Sequence, residues 1–153
     1  MRKNHRTNFD ALAEGYNFWA WVMGPRGYTE ALKFLHPATH LALDAGCGSG
    51  VLSLQLANHV DHVVGIDGSI SMIKLAKSHQ ADLKKKNVEF VVADLEKLPF
   101  KEKSYDFVVS NTALNGTKLE VTLPGLGRLL KPRRRMVLCD IVSIHPRLDA
   151  YPA

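Results

Sequence analysis

The sequence predicts an α/β fold, a mostly parallel sheet of five strands with helices on both faces. Three observations carry this. Short apolar runs alternate with stretches of helical periodicity. The runs are apolar at nearly every position, as in strands covered on both faces. Four of them end in a polar residue, Asp44, Asp67, Asp94 or Asn111, as expected where the carboxyl ends of strands meet on one rim.

The elements follow in order. Residues 8–23 have a helical, aromatic-rich pattern with Phe9, Leu12, Tyr16 and Trp19, closed by Gly24-Pro25-Arg26-Gly27. A second short helix is predicted over 29–35, with Ala31, Leu32 and Leu35 on one face. Leu41–Ala45 reads as the first strand. A helix over 51–60 follows, with Leu52, Leu56 and Val60 at i, i+4 and i+8. His62–Asp67 is the second strand, and 69–84 a helix with Met72, Leu75, Ala76 and Leu83 inward. The Val- and Phe-rich run 88–93 is the third strand and 105–110 the fourth. The pattern over 118–130 is helical but carries Pro124, Gly125 and Gly127. In a helix interior Pro costs about 3 kcal/mol and Gly about 1, so a break is expected there, with Pro124 restarting a turn at its first position. Residues 136–142 form the fifth strand. The preceding Lys131-Pro132-Arg133-Arg134-Arg135 reads as a turn; with Arg128 it makes a basic cluster, either solvated or in contact with phosphate.

Composition sets the class. The 153 residues, 46% hydrophobic and 23% charged, suit one soluble globular domain: a lead-in over 1–37, a core over 38–142 and a tail over 143–153. The net charge of +5 permits association with anionic partners without requiring it. Cys47 and Cys139 show neither metal-ligand spacing nor a disulfide framework, so no metal site is expected. The basic N-terminus has no apolar segment behind it, and no run approaches the ~18 residues of a membrane span. A cytoplasmic protein is expected.

The chemistry concentrates in Asp44-Ala45-Gly46-Cys47-Gly48-Ser49-Gly50. A strand feeding a glycine loop that opens a helix is a nucleotide-cofactor site in α/β proteins. A dinucleotide fingerprint would place a third Gly where Val51 stands, which disfavours a nucleotide-dependent oxidoreductase. Asp67, at the tip of the second strand, suits two ribose hydroxyls or the N-cap of the next helix. Cys47 reads as a small loop residue rather than a nucleophile.

The Asp-x-Gly-x-Gly-x-Gly pattern resembles the first motif of class I S-adenosylmethionine-dependent methyltransferases, and the likeness runs over about 9–142. It implies a Rossmann-like fold with S-adenosyl-L-methionine held by Asp44, Gly46, Cys47, Gly48 and Gly50. Gly68 and Met72 would flank the adenosine beside Asp67. Asp94 would accept from the adenine amino group, with the Leu95 N–H on a ring nitrogen; the alternative for Asp94 is an Asx turn. Tyr105-Asp106-Phe107-Val108-Val109-Ser110-Asn111 resembles the family's fourth motif, which puts Asn111 by the methionine moiety and Asp106 in a structural role. Ser110-Asn111-Thr112-Ala113-Leu114 is similar to the small-molecule, quinone-biosynthesis subgroup. In that subgroup an aromatic of the lead-in helix closes over the cofactor. Tyr16 is the candidate, the alternative being a core or surface aromatic.

The sequence departs from the family at three places. The tail is too short and proline-broken for the family's C-terminal antiparallel hairpin, which leaves the fifth strand as a sheet edge. A shortened form, a fragment, or a dimer or partner covering that edge is therefore expected. The broken helix and the basic turn are the second, and Asn115-Gly116, where the family often has histidines, the third. No catalytic residue is assigned; His145 and Tyr16 are the available bases. The implied reaction is transfer of the sulfonium methyl to a small molecule by in-line attack. The rival is a catalytically weak cofactor-binding module acting with a partner subunit. A nucleic-acid methyltransferase rests only on the basic turn.

Overall fold

The computed structural model describes residues 30–139. Five strands and three α-helices alternate along it. They are β1 (Leu41–Ala45), α1 (Val51–Leu56), β2 (His62–Asp67), α2 (Ile70–Asp82), β3 (Val88–Val92), β4 (Tyr105–Asn111), α3 (Leu119–Gly127) and β5 (Leu130–Cys139). A 3-10 turn over Leu114–Gly116 follows β4. The strand order is β3-β2-β1-β4-β5 and every pairing is parallel. The order reverses between β1 and β4, so their carboxyl ends flank the crevice where open α/β sheets take ligands.

The pleat sends alternate residues to opposite faces. Ala42, Val63, Phe107 and Val109 pack beneath α1 and α2 with Leu52, Leu56, Ile73 and Ala76. Leu43, Ala45, Val64, Ile66 and Val108 form the other face, under α3 with Leu126 and Leu129. No helix among the described residues is long and apolar enough to cross a membrane.

Four expectations needed correction. Leu83, expected on the inner face of α2, is 60% exposed at its C-cap. The helix predicted over 51–60 stops at Leu56 as a regular helix, and Asn58 and His59 donate back to Gln55 and Leu56 in tighter turns. The Asn87 amide takes the carbonyls of Ala57 and Val60 at 2.8 and 3.2 Å, so the frayed end is satisfied from the loop before β3. The break expected at Pro124 does not occur, since α3 runs through it. Proline deletes one helical donor, to the carbonyl of Glu120, and Glu120 is exposed. Full burial of Thr122, Leu126 and Leu129 on the sheet outweighs the propensity of three poor helix formers.

The basic stretch 131–135 is not a turn before the strand but a bulge within it. Pairing jumps from Tyr105–Leu130 to Phe107–Arg135, and Arg133 takes a φ of 61°. The excess loops out opposite Asp106, whose side chain is 1% exposed. Lys131 Nζ donates to its Oδ1 at 2.9 Å, and Arg134 lies 3.4 Å from the same oxygen. The N–H groups of His40 and Leu41 donate to Oδ2 at 3.2 and 3.0 Å. Burial alone would raise the Asp106 pKa, but the Lys131 hydrogen bond and the two backbone donors reverse this and hold it below the usual carboxylate value of 3.8. Arg128 likewise turns to the carbonyls of Leu98 and Phe100. Asp106 is thus structural, as expected, and three of the five basic residues of the cluster, Arg128, Lys131 and Arg134, take partners within the fold. Asp106→Asn keeps the shape but removes the charge. We expect it to cost about 1–2 kcal/mol in urea unfolding at neutral pH, because Lys131 and Arg134 are partly solvated. The difference from the parent should vanish as pH falls through the low carboxylate range.

Candidate functional site

The glycine loop leaves β1 at the point of reversal. Burial holds it from below: the Gly46 and Cys47 N–H groups both donate to the Ile66 carbonyl at 2.8 Å. Gly46 has a φ of +80°, and a Cβ there would lie 2.1 Å from the Ala113 Cβ. Both facts demand glycine. Leu95 comes within 3.8 Å of the same point. Residues from β1, the segment after β3 and the segment after β4 therefore converge on one glycine. Gly50, at φ +81°, is the N-cap of α1, and a Cβ there would meet Phe90 at 2.6 Å and Ala76 at 2.9 Å. Gly65 in β2 answers the same ring, its Cβ position being 2.7 Å from Phe90. His79 Nδ1 lies 3.0 Å from the Ser49 carbonyl and ties the loop to α2.

Asp67 is built into this loop. Its Oδ2 accepts from Gly48 N at 2.9 Å and its Oδ1 from Ser69 N at 2.8 Å. The N-cap of α2 is Ser69, whose hydroxyl accepts from Met72 N at 3.2 Å, so the capping alternative for Asp67 is not taken up. An ionised carboxylate has about four acceptor positions and is an acceptor for backbone N–H groups and hydroxyls alike. Gly68 stands half-buried in the same turn. Ala93 N donates to the Asp67 carbonyl at 3.0 Å, which brings Asp94 and Leu95 beside it. Asp94 Oδ1 accepts from Glu96 N at 3.0 Å, the Asx turn that was the alternative reading. Met72 is 1% exposed. Tyr16 and His145 lie outside the described residues.

Asp44 and Asn111 line a small cleft with Gly46, Cys47, Ser49, Val51 and Leu52. Asp44 is 1% exposed and takes the Ser53 hydroxyl on its Oδ2 at 2.6 Å. Burial is the largest influence on its acidity. Ser53 opposes it, Asp67 reinforces it, and the carboxyl is pushed up from 3.8 to about 7. Burial, with the Asp44 and Asp67 carboxylates nearby, also drives the Cys47 thiol well above its usual range, so it stays protonated and packs as a small apolar group. At the far wall Ser110 Oγ donates to the Ala45 carbonyl at 2.8 Å, and Thr112 N to the Cys139 carbonyl at 2.7 Å.

Ser53, Gly65 and Ala113 escaped the sequence reading. A polar residue inside the apolar Val51-Leu52-Ser53-Leu54, nine positions after a strand-ending acid, is the signal that could have found Ser53. The chemistry of the donor set fits a nucleoside carrying a cationic tail. A glycine cradle would admit it, Asp67 and Asp94 would accept from hydroxyl and amino donors, and Asp44 would answer positive charge.

Comparison with known proteins agrees. Residues 38–151 match a family described as a methyltransferase domain. A demethylmenaquinone methyltransferase of Lactococcus lactis subsp. lactis is 35% identical over 113 residues, 71% of this chain and 44% of the relative. A 2-phytyl-1,4-naphtoquinone methyltransferase of a Nostoc species is 35% identical over 150 residues, 92% of this chain and 66% of the relative. Among solved structures, a methyltransferase in complex with the Haloferax volcanii Trm112 methyltransferase activator superposes with a TM-score of 0.74 at 28% identity, covering 84% of this chain and 57% of that one. The chain spans less than two thirds of the length of each of these proteins.

Proposed function

Because the chain belongs to the methyltransferase-domain family, within the class I S-adenosylmethionine-dependent enzymes of the small-molecule type, we propose that it methylates a small-molecule acceptor. Bound in the crevice, S-adenosylmethionine supplies a sulfonium methyl group open to in-line attack by that acceptor. The observation that carries this reading is the convergence of Asp44, the Gly46–Gly50 loop, Asp67 and Asn111 at the one place where the strand order reverses.

The residues divide the work by chemistry. Gly46 and Gly48 keep the main chain open to close approach, while Cys47 fills the loop and Gly50 packs it on α2. Asp67, already fixed by two backbone donors, accepts from the ribose hydroxyls. Asp94 and the Leu95 N–H meet the adenine edge, with Gly68 and Met72 alongside. Asp44 compensates the ammonium group, and Asn111 stands at the mouth. By resemblance to the quinone-biosynthesis subgroup, Tyr16 is the aromatic assigned to close over the cofactor. Alignment of two reactants and exclusion of water supply the rate, and well-oriented pairs gain about 7–11 kcal/mol this way. The quinone substrates in the relatives' names support an aromatic acceptor. A second reading is a cofactor-binding module that works through a partner subunit; the existence of an activator complex for the Haloferax neighbour favours a partner of some kind.

Calorimetric titration with S-adenosylmethionine and S-adenosylhomocysteine tests the cofactor, with NAD as control. We expect micromolar binding of the first two and none of NAD. Asp67→Ala should weaken binding at least about tenfold through lost charged hydrogen bonds. An unchanged affinity in that variant, with the fold intact, would remove the ribose assignment.

A further inference from the structure

We propose that Ser53 is the positioning residue of this site. Its hydroxyl holds the Asp44 side chain as a carboxylate behind the glycine loop, and so sets the pH range over which the cofactor binds. The inference rests on the cofactor reading above and extends it to a residue outside the glycine motif.

Ser53 is fully buried in the first turn of α1, where its neighbours Leu52, Leu54 and Leu56 belong to the apolar core. A buried hydroxyl is costly unless it is bonded, and this one is bonded to Asp44 Oδ2 at 2.6 Å. The fold keeps room for that contact. A Cβ on Gly65 would stand 2.7 Å from the Ser53 oxygen, so β2 presents no side chain at the point where one would displace the hydroxyl.

Of the other groups around Asp44, one opposes its charge and two carry none. Asp67, from β2, repels a second carboxylate. Cys47, in the loop, is a neutral thiol, and Asn111, from β4, is a neutral amide. From α1, the hydroxyl and backbone N–H of Ser53 favour ionisation. A cationic ligand is matched by a carboxylate and not by a carboxylic acid. Affinity for S-adenosylmethionine should therefore rise with pH until Asp44 is ionised in the free protein. Removing the hydroxyl moves that rise to higher pH. A hydrogen bond to a charged group of ordinary strength corresponds to a displacement of about one to two pH units.

Two measurements on the whole chain test this and keep its failure apart from that of the cofactor reading. The first follows the Asp44 carboxyl carbon by NMR against pH, with no ligand present. Its midpoint should lie near neutrality in the parent and move up by about one to two units in Ser53→Ala. Ser53→Cys, which keeps the side-chain shape with a larger atom and donates poorly, should move it the same way. A midpoint unmoved in both variants overturns the proposal. The second measures S-adenosylmethionine affinity across the neutral range by calorimetry. The rise in affinity should follow the NMR midpoint in each variant and disappear in Asp44→Asn. A rise that stays in place while the carboxyl midpoint moves overturns the link to binding. A parent protein that takes up no S-adenosylmethionine at any pH overturns the cofactor reading and that link with it, while the NMR titration still decides what Ser53 does to Asp44.

Discussion

Gly46→Ala is expected to destabilise the protein by about 3–4 kcal/mol and to abolish S-adenosylmethionine binding. Two effects add. A left-handed conformation costs a non-glycine residue about 1–2 kcal/mol, and Gly46 sits at φ +80°. Overpacking a close contact costs a further 1–3 kcal/mol or so, and the new methyl would fall 2.1 Å from the Ala113 Cβ. Ala113→Gly removes the second effect and leaves the first. In a double-mutant cycle by urea unfolding, we expect Ala113→Gly to recover about half of the loss. A cycle with no coupling would mean that the loop yields elsewhere.

Asp44→Asn is expected to act in opposite directions on stability and binding. The folded-state pKa of Asp44, about 7, lies above the 3.8 of an ordinary aspartate. The folded protein therefore keeps this proton over an interval in which the unfolded chain has lost it. Stability from this group is full below about pH 4 and declines as pH rises to 7 and beyond. The uncharged amide escapes that decline and still accepts from Ser53. Above neutrality the variant should gain about 2–4 kcal/mol, or about 5–10 °C in Tm. On the proposed assignment of Asp44 to the ligand's cation, it should bind S-adenosylmethionine at least about tenfold more weakly, because the charge that opposes folding would also be the one that serves binding. Thermal denaturation at acid and alkaline pH checks the first half. Equal Tm differences at both would contradict it.

How much of this was legible depended on distance along the chain. The five strands and the glycine loop announce themselves because apolar runs and their terminal acids are local signals. The alternation of Ala42 and Leu43 between two cores follows from the pleat alone. The bulge in β5 was not legible, since Pro132 and three arginines read as a turn. What overrides that pattern is Asp106, buried 25 residues upstream of Lys131 and in need of cations. Propensity also failed in α3, where Leu126 and Leu129 gain more from the sheet than Pro124 loses. In the site, sequence placed Asp44 on a rim with Asp67 and Asp94. What it did not show is that Asp44 is buried there against a serine that looked like an interruption in an apolar helix. The N-cap role weighed for Asp67 belongs to Ser69 two residues on.

The Phe90 ring occupies space that side chains on both Gly50 and Gly65 would otherwise need. Neither glycine is free to change while the aromatic ring stays, and a smaller residue at 90 would leave a hollow behind the loop. Shrinking the ring would still free neither, since Gly50 sits at φ +81° with the Ala76 Cβ 2.9 Å from its own Cβ position, and a Cβ on Gly65 would stand 2.7 Å from the Ser53 hydroxyl. The tolerance of the cofactor loop to drift is thus decided partly by an edge strand that has no chemistry of its own.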